Sequence, residues 1–147
     1  MKVVIQRVLK ASVKIDNHTV SSIDKGMVIF LGVAKDDQRK DVELTVDKIK
    51  TMRIFSDENG KMNLSINDTN GELLVVSQFT LLGNLQKGRR PSFDNAAEPQ
   101  KAQDFYNTFI ELLKKDDLKV KQGKFKEYMH VELINDGPVT LIFDTKD

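Results

Sequence analysis

No cysteine and no tryptophan occur in these 147 residues, and histidine appears only twice. The missing cysteine removes disulfides, thiolate nucleophiles and cysteine-bound metals together. His18 falls in a turn-like stretch and His130 in an alternating one; neither has the neighbouring ligands that a zinc site needs, so no metal and no cofactor are expected. Charge of one sign is also lacking. The 23 basic and 22 acidic side chains leave a formal net charge of +1, which provides no global field for a polyanion. No apolar run approaches membrane-spanning length, and the opening Met1 to Val8 turns polar too soon for a signal peptide, so a cytoplasmic protein with no membrane association is expected. No pair of carboxylates stands at an acid–base spacing, and no Gly-rich loop follows a strand and opens a helix.

What is present suits one soluble globular domain, residues 1–147, with 39% hydrophobic and 31% charged residues. Val3, Ile5, Val8, Val13 and Ile15 alternate imperfectly, as in one long bent strand or two strands. A turn at Asp16-Asn17-His18 leads to a strand through Val20 and Ile23, and Met27 to Val33 is apolar enough for a central strand covered on both faces. Asp36 or Asp37 is placed to cap a helix whose inward face carries Val42, Val46 and Ile49, with the stem of Arg53 extending that face. Pro99 opens a second helix with Phe105, Tyr106, Phe109, Leu112 and Leu113 on one apolar stripe. Gly83 to Ala97 reads as a long polar loop of the kind that carries function, with Lys87, Arg89 and Arg90 within it. Tyr128 to Ile134 and Val139 to Phe143 read as two further strands, divided by a turn-rich Asn135-Asp136-Gly137-Pro138.

Two stretches carry the polar chemistry. Leu73 to Leu82 is an apolar run, bounded by Gly71 and Gly83, with Ser77, Gln78 and Thr80 set into its second half. Its composition fits a strand buried on both faces or a core helix segment; the flanking glycines favour the strand. Buried polar groups must find partners, so these three are either hydrogen-bonded core residues or the end of a strand that opens into a pocket. The second stretch is Asn135 to Thr140.

Together these stretches resemble the paired motifs of the D-aminoacyl-tRNA deacylases, also called D-tyrosyl-tRNA deacylases. The resemblance runs through Gln6-Arg7-Val8, Arg53 to Asp57, Gly60 to Leu64, Val75 to Leu81, Arg90 to Phe93 and Asn135 to Thr140, and so covers the chain in order. It implies an α/β fold: a three-layer β/β/α arrangement of mixed and antiparallel sheet with two main helices. It also implies a homodimer that hydrolyses the ester of D-aminoacyl-tRNA and of mischarged glycyl-tRNA, with its active site at the interface. Ser77, Gln78, Phe79 and Thr80 of one subunit would face a cis Gly137-Pro138 pair of the other, whose carbonyl oxygens reject L-amino acids, while Arg7 holds that pair in orientation.

An aminoacyl ester is already activated, so modest help suffices. Main-chain N–H groups at Gln78 and Phe79 are the expected oxyanion donors, and the resemblance implies assistance from the tRNA 2′-hydroxyl. Phe125 and Met129 are placed to contact the terminal adenosine, although core packing would account for them equally well. Lys87, Arg89 and Arg90, with the lysines from Lys114 to Lys126, are candidate phosphate contacts. Two other readings remain open at this point: a non-catalytic tRNA- or RNA-binding protein, and a hydrolase of small esters with Thr80 as nucleophile.

Overall fold

The computed structural model describes residues 1–86 and 88–147. Its first strand, β1 (Lys2–Ile15), is a single bent strand that organises the rest. The antiparallel β2 (His18–Ile23) pairs with its second half and β3 (Gly26–Gly32) with its first half, both along one side. The helix α1 (Arg39–Thr51) leads to a small hairpin of β4 (Phe55–Ser56) and β5 (Met62–Leu64), then to the short α2 (Ile66–Thr69). β6 (Glu72–Ser77) runs parallel to β3. After a loop come the helix α3 (Pro99–Lys114), β7 (Lys119–Gln122), which runs parallel to β6, and β8 (His130–Asp144), which runs antiparallel along the whole free side of β1.

The bend in β1 has a local cause. Its register against β8 shifts between Gln6 and Val8 and again between Val8 and Lys10. Extra residues in one strand turn the chain and reset which face its side chains take. Val3 and Ile5 therefore join Met27, Ile29, Leu31, Leu73 and Val75 under α1 and α3, whereas Val8, Ala11 and Val13 join Ile23, Val28, Leu74 and Val76 in a second core on the opposite face. The result is the expected three-layer β/β/α arrangement, with α1 and α3 as the two main helices. No helix among the described residues is long and apolar enough to cross a membrane.

Several boundaries differ from the sequence reading. The strand expected from Leu73 to Leu82 ends at Ser77, and Phe79–Leu82 forms a 3-10 turn instead. The two strands expected either side of Asn135-Pro138 are one, because the register break in the β1 pairing absorbs the turn-rich residues without ending the ladder. Arg53 lies beyond the end of α1 and is exposed; Thr45 fills the buried face together with Val42, Val46 and Ile49.

The cap of α1 is Gln38, whose N–H donates to the Asp41 carboxylate at 2.8 Å. Asp37 is taken elsewhere: it accepts the Met1 ammonium at 2.6 Å and the Ala34 N–H at 2.7 Å, fully buried. Thr145 completes this corner, with its hydroxyl 2.6 Å from the same ammonium and its N–H donating to the Met1 carbonyl. Burial pushes the neighbouring Asp41 carboxyl up, but hydrogen bonds from Gln38 and Thr145 and the ammonium of Lys146 outweigh it and pull the pKa from 3.8 to about 2. The start of β1 and the end of β8 are thus tied to the start of α1.

Candidate active site

The end of β6 shapes the site. Val76 and Ser77 still lie in the sheet, and Gln78 then leaves it with its N–H donating to the Leu31 carbonyl at 2.8 Å. The chain tightens at once into the 3-10 turn, closed by Leu81 N–H to Gln78 O and Gly83 N–H to Thr80 O. That close curl needs Gly32 beside it. A Cβ at Gly32 would stand 2.5 Å from Leu82 Cδ2 and 3.1 Å from the Gln78 carbonyl. The loop after the turn is anchored by a reciprocal main-chain pair between Asn84 and Ser92, and Phe93 stacks edge-on against Phe79 with centroids 5.0 Å apart.

Ser77, Gln78 and Phe79 form one wall of a cavity of about 510 Å³. Leu31 at the end of β3 and Val33 just beyond it continue that wall, Ala97 and the first turns of α3 at Pro99 and Ala102 close it, and Phe125 to Met129 complete the lining. An apolar space with a few polar groups at one end is the usual form of a small-ligand site. Phe125 and Met129, which the sequence left open between adenosine contacts and core residues, both line it and also pack against the two cores. Lys126, expected from sequence only as one of the phosphate-contacting lysines, lines it too, as do Tyr128, read only as the start of a strand, and Glu127, to which no motif pointed. Tyr106, assigned only to the core, is buried there but also donates its hydroxyl to the Val75 carbonyl at 2.8 Å and lies 6.0 Å from the Phe125 ring. Burial pushes its phenol pKa up.

The donors around the turn can be assigned individually. The Gln78 N–H is committed to Leu31, so it is unavailable to an oxyanion. The N–H groups of Phe79 and Thr80 have no acceptor among the described residues, as expected for the first residues of a helical turn. The Gln78 side-chain amide donates to the Thr80 hydroxyl. An amide N–H donor cannot take a proton from that hydroxyl, so Thr80 has no activating base in this contact.

The second motif lies elsewhere in the chain. Gly137 and Pro138 are exposed and joined by a cis bond, at a point where β8 is out of step with β1. Arg7 is buried beneath them: Nη1 donates to the Ile54 carbonyl at 2.6 Å, and Nε lies 3.3 Å from the Asp136 carbonyl and 3.2 Å from its carboxylate. Asn135 donates to the carbonyls of both Arg7 and Val139 at 2.9 Å, so the segment between them is pinned at each end. In sheet order β8, β1, β3 and β6 follow one another, which separates this motif from Ser77 by three strand spacings, roughly 14 Å. Neither Gly137 nor Pro138 lines the cavity of the same chain. Arg89 and Arg90 are exposed in the loop and also stand outside the cavity, while Lys87 lies outside the described residues.

The family model described as D-Tyr-tRNA(Tyr) deacylase matches residues 4–144. The chain is 55% identical over 147 residues to a D-aminoacyl-tRNA deacylase of Dictyoglomus turgidum, covering 100% of this chain and 94% of that protein. It is 50% identical over 145 residues to a D-aminoacyl-tRNA deacylase of Clostridioides difficile, covering 99% and 97%. Among solved structures, one titled c-Myc DNA Unwinding Element Binding Protein superposes with a TM-score of 0.93 at 42% identity, covering 99% of each chain. Another, a probable eukaryotic D-amino acid tRNA deacylase, superposes at 0.84 with 15% identity over 97% of each chain and shares the fold.

Proposed function

The chain belongs to the D-Tyr-tRNA(Tyr) deacylase family, and from that premise we propose that it hydrolyses the ester of D-aminoacyl-tRNA, and of mischarged glycyl-tRNA, in the cavity beside Ser77–Phe79. The observation that carries this reading is the pair of N–H groups of Phe79 and Thr80 that have no acceptor among the described residues, the first in the wall of an apolar cavity of about 510 Å³ and the second at the next residue of the turn, outside the lining. Water attacks the ester carbonyl, the carbonyl oxygen becomes negative, and these two N–H groups receive that charge. The bond to the ribose oxygen then breaks, releasing the D-amino acid and tRNA. The ribose 2′-hydroxyl assists the proton movements, and Ser77 orients the substrate. Phe125 and Met129 hold the adenine between ring and thioether. We further propose that the reaction takes place in the cytoplasm, where translation consumes aminoacyl-tRNA.

The chiral screen comes from a second copy of the chain. Three strand spacings keep Gly137-Pro138 away from the cavity of its own subunit, and Arg7 and Asn135 fix the main chain around the pair. Carbonyl oxygens of Gly137 and Pro138, presented across a homodimer interface, meet an L side chain with a clash and an unfavourable polar contact, while a D side chain points away. The sheet supplies a surface for such a partner. Ile142 is 70% exposed, and its cross-strand neighbours Val4 and Phe30 are half-buried, a continuous apolar row on the outer face. A row of this kind is uncommon on a surface that stays in water.

Mixed dimers test the shared site. Arg7→Lys loses one of the two carbonyl contacts and is expected to admit L-aminoacyl-tRNA; Gly32→Ala is expected to disable the cavity. When Arg7→Lys chains are co-folded with an excess of Gly32→Ala chains, each working cavity faces an intact screen, so hydrolysis of L-aminoacyl-tRNA should fall while D-aminoacyl-tRNA is still cleaved. Unchanged L activity would place the screen within one chain.

A further inference from the structure

A second, smaller groove of about 270 Å³ adjoins the main cavity on the other side of Phe125. Phe125 and Glu127 line both spaces. The lining of the groove is unlike that of the cavity: Gln103 and Asn107, one turn apart on α3, face Gln122 at the end of β7, with Lys124 beside them. The three amide side chains make no hydrogen bond to another described residue and lie at the surface of the groove with donors and acceptors to spare. Neither the ester chemistry nor the chiral screen uses any of them.

Between the two spaces the chain turns at Lys124 to Glu127, where the Glu127 N–H approaches the Lys124 carbonyl at 3.4 Å and Lys126 takes a left-handed φ of 65°. The turn separates its lysines: Lys124 lines the groove and Lys126 lines the cavity. Among the described residues neither is in an ion pair. An adenosine in the cavity must carry its 5′-phosphate across this ridge before the next nucleoside begins. Two ammonium groups flank that path, and with the Glu127 carboxylate counted against them the ridge stays net positive.

We infer that the groove lined by Gln103, Asn107, Gln122 and Lys124 is a subsite for the penultimate nucleotide of the tRNA acceptor end, joined over the Lys124–Lys126 ridge to the adenosine in the main cavity. The inference rests on the proposed function and deepens it. Amides present the paired donors and acceptors that read the edge of an unstacked base, the Glu127 carboxylate accepts from an exocyclic amine such as that of cytosine, and Phe125, half-buried between the two spaces, offers an aromatic surface for the base. Gly123 matters here as spacing. A Cβ on it would stand 2.8 Å from the Met129 sulfur, so the backbone passes directly beneath the adenosine contact as it leaves β7 for the ridge.

The test compares two synthetic esters, D-aminoacyl-adenosine and the D-aminoacyl ester of cytidylyl-(3′→5′)-adenosine. For the wild-type protein the dinucleotide is expected to have a KM about tenfold lower at similar kcat, in line with one added stacked base. In Lys124→Gln, and separately in the exposed double variant Asn107→Ala/Gln122→Ala, that advantage should disappear, and replacing cytidine by uridine should remove part of it in the wild type. An equal KM for both esters in the wild type, or an undiminished advantage in both variants, overturns the subsite. Failure to cleave any D-aminoacyl ester would instead overturn the function itself, so the two outcomes are distinguishable.

Discussion

A D-aminoacyl-tRNA ending in 2′-deoxyadenosine is expected to be cleaved about 100- to 10,000-fold more slowly than its ribose counterpart, the range over which a positioned proton-transfer group contributes. Thr80→Ala is expected to cost less than about tenfold, the value of one lost neutral hydrogen bond. The contrast follows from the contacts at the turn. Thr80 receives a hydrogen bond from the Gln78 amide and has no group placed to remove its proton, so it is a poor nucleophile. Its N–H, which the substitution leaves in place, remains available to the oxyanion. Single-turnover rates on the matched substrates check both statements, and a small deoxy effect with a large Thr80→Ala effect would restore the reading of Thr80 as nucleophile.

Gly32→Ala carries the second large effect. The added Cβ would lie 2.5 Å from Leu82 Cδ2, the far end of a flexible side chain, and 3.1 and 3.2 Å from the Gln78 carbonyl and Leu81 Cβ, so the 3-10 turn must give by a few tenths of an ångström. Gly32 is in β3 and touches no substrate; its influence reaches the reaction only through the position of the Phe79 and Thr80 N–H groups. A misplacement of about 1 Å costs about 100-fold in rate, which sets the upper end of the expected loss, while overpacking of this kind costs about 1–3 kcal/mol of stability. The expected signature is a variant that still folds, with kcat lowered far more than the affinity for tRNA. Circular dichroism with steady-state kinetics separates this from general misfolding, and wild-type kcat in a folded variant would show that the turn does not position the donors.

Much of the architecture was legible because it depends on period. The apolar stripes of α1 and α3 and the unbroken run at β3 each bury a face that repeats at the spacing of their element. What escaped depends on contacts between distant residues. Phe79 to Leu82 continue the hydrophobic character of β6, so nothing local marks where the strand ends; the marker is Gly32, forty-five residues upstream of Ser77, a glycine in a strand where another backbone comes close. Asn135 to Pro138 have the composition of a turn, yet the ladder continues because Arg7 and Asn135 hold its interior. Asp37 has the position of a helix cap but is drawn to the Met1 ammonium. The motifs at Ser77 and Gly137 were visible as residues, and Lys126 as one of a run of lysines, whereas the place of Lys126, Glu127 and Tyr128 in the cavity wall depends on how the chain folds back against β6.

Discrimination between D- and L-esters is the property most specific to this site. Purified protein is assayed on one tRNA charged with the D- or the L-form of the same amino acid, with glycyl-tRNA as a third substrate. Cleavage of the D-ester and of glycyl-tRNA, with the L-ester slower by at least about 100-fold, is the predicted result, since only an L side chain meets the fixed carbonyls. Equal rates on the D- and L-esters would contradict it.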